Sequence, residues 1–262
     1  MKAHMRIETG PLAVECLEGG GYWDVELCNS KGNVLDSALI DSLIGVFEEA
    51  TSAPEVKAVC LRGRGKDFSF GASVREHLPD SVGGMLPRFH RLFRAMDTSS
   101  VPTLAVVRGQ CLGGGLELAS FCHRVFAAPD AKLGQPEIVL GVFAPVASLM
   151  LPERIGRANA EDLCLTGRII GASEAAEMGL VDVVAEKPEE AALEYARKYL
   201  LPRSASSLRH AVRALRLPVS RRLEEELARL EGLYLEELMG TEDAVEGIQA
   251  FLEKRPPEWR NR

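Results

Sequence analysis

The sequence predicts an α/β chain with a layered ββα core and a helical C-terminal part, and three observations carry that reading. Short apolar or alternating runs at residues 23–28, 56–62, 103–107 and 124–128 have the length and composition of strands. Helical patterns lie between these runs, so the two element types alternate rather than segregating as in a sandwich or a bundle. Near residue 185 the pattern turns helical throughout.

Taken in order, each element has a local cause. After the first strand, Asp36 or Ser37 can cap a helix that carries Leu39, Ile40, Leu43, Ile44 and Phe47 on one side. The second strand runs into a glycine-containing loop at 65–74. The third leads into Gly113, Gly114 and Gly115 and then a short, mostly apolar helix at 116–122. The fourth is followed by a Pro-constrained loop at 134–141, Gly-Gln-Pro-Glu-Ile-Val-Leu-Gly. Residues 191–201 are helical, and 206–217 form a basic helix that Pro218 should end. Residues 221–239 are amphipathic, with Leu223, Leu227, Leu230, Tyr234 and Leu238 recurring at spacings of three and four. That stripe reads as core or subunit interface. The chain divides into a core at 1–200 that holds the site and a helical region at 201–262. No repeat is legible.

Bulk properties narrow the class. The 262 residues suffice for a substantial core, and 46% apolar with 26% charged is ordinary for a soluble globular protein. A net charge of −7 argues against a nucleic-acid binder, which needs a basic face. Six scattered cysteines without C-x-x-C or metal spacing read as small buried hydrophobes in a reducing compartment. The first residues lack an apolar leader segment, and no run of 18 apolar residues exists, so a cytoplasmic chain without a membrane partner is expected.

The chemistry concentrates on two glutamates twenty residues apart, Glu117 and Glu137. An apolar strand enters three glycines and a helix opens directly after them. Glycines let backbone approach a ligand, and a helix start presents unpaired N–H groups to negative charge. The glycine loop at 65–74 can supply a second N–H, and two such donors on one carbonyl oxygen make an oxyanion hole. A carboxyl on the short helix and another on the Pro136 loop can then move protons beside it. Taken singly, Glu117 also reads as a helix-start residue and Glu137 as a surface loop residue. His77, His90 and His123 read as core or polar histidines rather than as a base or a metal set.

Six segments in order resemble the crotonase (enoyl-CoA hydratase/isomerase) superfamily. Phe68-Ser-Phe-Gly-Ala-Ser73 is similar to its F-x-x-G-A-D loop, and Gly113 to Ala119 to its G-G-G-x-E-L-A segment. Gly134-Gln-Pro-Glu-Ile138 matches the second catalytic loop. Leu165-Thr-Gly-Arg168 and Ala175 to Val181 match later signatures, and Glu246 to Pro256 resembles the family's C-terminal ending. The resemblance implies a spiral of ββα repeats, a helical trimerisation region, and a homotrimer or a hexamer of two trimers. It implies an acyl-CoA thioester substrate, with coenzyme A as part of the substrate and no separate cofactor or metal. By position, the oxyanion donors are the N–H groups of Ala72 and Gly114, and Glu117 and Glu137 are the acid/base pair of the hydratases. The neighbouring motif residues Phe70, Gly71, Ser73, Val74, Leu112 and Gly113 fall on the thioester-binding segments. Lys66 and Arg75 flank that loop and read either as contacts to CoA phosphates or as ordinary solvated charges, and Phe251 and Lys254 match positions that reach a neighbouring subunit's CoA.

Three departures refine the expectation. Ser73 replaces the family's Asp, and His123 stands where Asp commonly follows Cys. The glycine-rich turn after the second glutamate is replaced by Val142-Phe-Ala-Pro-Val-Ala-Ser148. Phe143 and Pro145 would fill and stiffen the pocket, which suits a ring better than a flexible chain. These segments look most like the subgroup that hydrates cyclohexa-1,5-diene-1-carbonyl-CoA in anaerobic aromatic degradation. The expected activity is therefore hydration of a conjugated, cyclic enoyl-CoA. The alternatives are a β-oxidation 2-enoyl-CoA hydratase, an enoyl-CoA isomerase, and a CoA-ester-binding scaffold without turnover.

Overall fold

The computed structural model describes residues 5–29 and 32–262. Strands β1 (Met5–Thr9), β2 (Leu12–Leu17) and β3 (Tyr22–Leu27) form an antiparallel meander. Helix α1 (Ser37–Ser52) follows, with the Asp36 carboxylate accepting the Leu39 N–H at 3.0 Å. Then come β4 (Ala58–Gly63), α2 (Pro79–Ser99), β5 (Thr103–Val107), β6 (Gln110–Leu112), α3 (Gly114–Phe121), β7 (Arg124–Ala127) and β8 (Lys132–Gly134). The predicted strands and the capped helix are thus present, each within two residues of its expected ends.

From β3 onward the main sheet is parallel, in the order β3-β4-β5-β7. Parallel strands are covered on both faces, and every residue of β5 is buried accordingly. Leu61, Ala105 and Val107 face the large core against α1, α2 and α3, whereas Cys60, Leu104, Val106 and Phe126 pack with Tyr22 in a second, smaller core.

The repeat appears in the second layer. β6 pairs with β8 in parallel, Ser69 bridges Cys111, and Leu35 bridges Ala72. Each long strand of the main sheet is therefore followed by one short second-layer contact and then a helix. The units run β3–Leu35–α1, β4–Ser69/Ala72–α2, β5–β6–α3 and β7–β8 with the helices beyond, a spiral of ββα units. Helices α4 (Pro145–Ile155) and α5 (Arg157–Thr166) complete the last one. β9 (Ile169–Gly171) adds antiparallel to β8, and α6 (Ala172–Glu177) leads to β10 (Val183–Val184), which pairs with β7. Helix α7 (Pro188–Tyr195) closes the smaller core with Ala192.

The C-terminal helices differ from expectation in one respect. Helix α8 (Ala205–Glu225) runs through Pro218 instead of ending before it. Proline removes one helical N–H and crowds the preceding turn, but Val212 and Leu223 anchor α8 on either side of it. The break falls after Glu225. Helix α9 (Leu227–Gly232) passes into a wide π-turn at Leu233–Glu237, and α10 (Glu242–Glu253) follows under a Thr241 cap. The predicted stripe is inward-facing, with Leu223, Leu227 and Tyr234 buried. Among the described residues no helix is long and apolar enough to cross a membrane.

Candidate active site

The site is built where β6 gives way to α3. Gly113 has φ 51° and ψ −128°, a backbone open to glycine and closed to other residues. Its N–H donates to the Gly134 carbonyl at 2.9 Å, which ties the glycine turn to the Glu137 loop. A methyl group placed on Gly113 would sit 2.5 Å from Glu137 Oε1, so the missing side chain is the room in which that carboxylate lies. A methyl on Gly114 would lie 3.1 Å from the Ala72 nitrogen and 3.1 Å from Phe89 Cζ. The start of α3 and the 70–73 loop therefore meet backbone to backbone.

That loop is held from behind. Ser69 Oγ donates to the Asn33 carbonyl at 2.8 Å and accepts the Gly71 N–H at 3.0 Å. The Ser73 N–H donates to the Leu35 carbonyl at 3.2 Å. Among the described residues, the N–H groups of Ala72 and Gly114 have no acceptor within the chain, and both residues line the same cavity.

Glu117 is 3% exposed on α3, and its Oε1 accepts the Ala147 N–H at 2.8 Å. Ala147 belongs to the first turn of α4, so Glu117 satisfies one of the open N–H groups of another helix. Burial raises its pKa to about 7, against the opposing pull of the Ala147 and Val146 N–H groups. Glu137 is carried by the 3-10 turn Pro136–Leu140, which Pro136 starts. Gln135 Nε2 donates to its Oε1 at 3.4 Å, while its Oε2 is enclosed without a partner among the described residues. Burial first, and the charge of Glu117 second, raise it to about 8. Two buried carboxyls that repel one another favour the state in which one of them keeps its proton.

These groups face a narrow cavity of about 70 Å³. Phe70, Gly71, Ala72, Val74, Gly113, Gly114, Phe143 and Pro145 stand in its wall as the motifs implied. Pro145 is the first residue of α4, where proline costs no hydrogen bond, and it aims Ala147 at Glu117. Phe143 packs against Tyr234 at 5.3 Å between ring centroids. Lys66, Arg75, Phe251 and Lys254 are exposed and lie outside the wall, as do Ser73 and Leu112. Ser73 instead precedes the turn Val74–His77, and its carbonyl meets His77 Nδ1 at 2.8 Å. Two wider clefts of about 540 and 500 Å³, around 239–260 and around 97–100 with 209–220, contain none of the motif glycines or paired glutamates.

Sequence reasoning missed part of the wall. His77 lines the cavity, and so do Tyr234 and Ile248 from the C-terminal region. Tyr234 was legible only as the single polar member of a leucine stripe, a pattern that reads as core.

The description of the family "Enoyl-CoA hydratase/isomerase" matches residues 21–262. A protein of Thauera aromatica named cyclohexa-1,5-dienecarbonyl-CoA hydratase is 50% identical over 254 residues, covering 97% of this chain and 98% of its own. A probable enoyl-CoA hydratase of Bacillus subtilis (strain 168) is 34% identical over 88% of this chain and 92% of its own. The crystal structure of an enoyl-CoA hydratase from Mycobacterium avium subsp. paratuberculosis K-10 superposes with a TM-score of 0.84 at 27% identity, covering 97% of this chain and all of that one.

Proposed function

The chain belongs to the enoyl-CoA hydratase/isomerase family, and from that premise we propose that it hydrates cyclohexa-1,5-diene-1-carbonyl-CoA. The observation that carries this reading is the pairing of Glu117 and Glu137 on one enclosed cavity beside two unengaged backbone N–H groups. Near-full-length likeness to the Thauera aromatica hydratase supports the same substrate.

The thioester oxygen takes the N–H groups of Ala72 and Gly114, each donor contributing about 3 kcal/mol to the transition state. The ionised carboxyl removes a proton from water, and the water oxygen bonds to the β-carbon. The displaced π electrons move to the thioester oxygen, forming an enolate that the two N–H groups hold. The protonated carboxyl then returns a proton to carbon. With a second conjugated double bond the enolate charge reaches a remote ring carbon as well, so the proton can be delivered at either end. Phe143 and Pro145 present a flat, stiff wall to a ring, and a ring loses little conformational entropy on binding.

Phe70, exposed at the mouth, with Lys66 and Arg75 nearby, would meet the CoA portion. Exposed Leu215, Leu217, Phe251 and Trp259 support assembly into a trimer or hexamer, with Phe251 and Lys254 reaching a neighbour's CoA. Six free cysteines fit a reducing cytoplasm. No cofactor beyond the substrate's own CoA is proposed. The test is a substrate panel: cyclohexa-1,5-diene-1-carbonyl-CoA, crotonyl-CoA and longer enoyl-CoAs, with hydration followed by mass. Tight CoA-ester binding without hydration of any of them would replace the hydratase by a binding protein.

A further inference from the structure

We infer that Tyr234 is a third catalytic group, whose phenolic O–H holds the oxygen of the attacking water and of the hydroxyl it becomes. The inference rests on the hydratase reading and deepens it.

Tyr234 is 1% exposed, and its hydroxyl has no partner among the described residues. An enclosed hydroxyl without a partner costs about 1–3 kcal/mol. Phenylalanine would fill the same space between His77 and Phe143 without that cost, so packing alone does not account for the oxygen. The residue lies in the cavity wall together with both glutamates, and their charges raise its pKa further after burial has already done so. The phenol therefore stays protonated. It is a donor and never a base, and its ring is flanked by Phe143 and by His77, whose Nδ1 is already engaged with the Ser73 carbonyl.

Its placement is built. Tyr234 occupies the π-turn Leu233–Glu237, a widened turn of the kind that often marks functional positions. One turn earlier, Glu231 meets the fully buried His90 of α2 at 2.5 Å, which pins this helix to the core. When a carboxylate removes a proton from water, the oxygen becomes hydroxide-like, and a fixed donor stabilises that charge as it forms.

The test is Tyr234→Phe, assayed with cyclohexa-1,5-diene-1-carbonyl-CoA for turnover and with saturated cyclohexanecarbonyl-CoA for binding. The expected result is a loss of about 10- to 100-fold in kcat, with the affinity for the saturated ester unchanged and the thermal midpoint at or above that of the wild type, since the hydroxyl that is removed has no partner to lose. Unchanged turnover overturns the inference. So does an equal loss of turnover and of ester affinity, which is the signature of a packing residue. Tyr234→3-fluorotyrosine keeps the shape and strengthens the donor, so it decides the matter even if the phenylalanine variant fails to fold. Faster hydration with unmoved binding supports the assignment, and indifference to fluorination removes it. Wild-type protein that hydrates nothing would instead refute the hydratase reading on which the inference stands.

Discussion

Gly113→Ala isolates how much of the chemistry depends on where the Glu137 carboxylate rests. The new methyl would lie 2.5 Å from Oε1, whereas carbon and oxygen settle at about 3.3–3.6 Å. The carboxylate must retreat by about 0.8–1.1 Å, or the turn must move and strain its bond to Gly134. A displacement of that size at a reacting group costs about 100-fold in rate. Alanine at φ 51° and ψ −128° adds backbone strain of about 1–3 kcal/mol. The expected outcome is a stable, less heat-resistant protein that binds saturated cyclohexanecarbonyl-CoA and has lost about two orders of magnitude in hydration rate. Stopped-flow hydration, calorimetric binding and thermal melting separate the three effects. A variant that melts earlier yet turns over normally would refute the reasoning, because Gly113 would then serve backbone conformation alone.

The remaining expectations follow from the same geometry. Glu117→Gln and Glu137→Gln should each lower kcat by about 10²- to 10⁴-fold while CoA-ester binding persists, and near-normal turnover removes that residue from the mechanism. The pH profile of kcat/KM should be a bell whose limbs both lie above the ordinary carboxylate range, since both carboxyls are raised by burial; a rising limb near pH 4 would contradict this. The contribution of Glu117 and Glu137 to stability should fall as pH rises from the ordinary glutamate range through neutrality, because these two carboxyls hold protons in the folded state that they release in the unfolded one. Glu137→Gln should therefore raise the melting temperature more at pH 8 than at pH 5, and an equal gain at both would refute the raised pKa. Replacing Phe143 and Pro145 by glycine should shift kcat/KM towards crotonyl-CoA; wild-type protein that already prefers crotonyl-CoA would overturn the ring-shaped pocket.

Much of the site was legible because its causes are local. Three glycines before a helix and a proline before Glu137 are short-range necessities, and each marks a close approach that the fold realises. The spiral was not legible as a repeat. Its second layer consists of three-residue strands and single bridging residues such as Leu35, Ser69 and Ala72, too short to leave a periodic pattern. The fate of Pro218 was misread because a proline's cost is local while the packing that offsets it is not. Tyr234 was passed over for a related reason: a leucine stripe says which face is buried, never what the buried face looks onto.

Order of synthesis gives the C-terminal wall a further meaning. A nascent chain that has emerged as far as Phe143 already carries both glutamates, the glycine turn and the open N–H groups of Ala72 and Gly114. It lacks Tyr234 and Ile248, which lie in the wall of the finished cavity. Until those residues leave the ribosome and dock, that side of the cavity stands open to water and the burial that lifts both carboxyls is incomplete. The raised pKa values of the two glutamates thus belong to the finished chain, since burial is their largest cause.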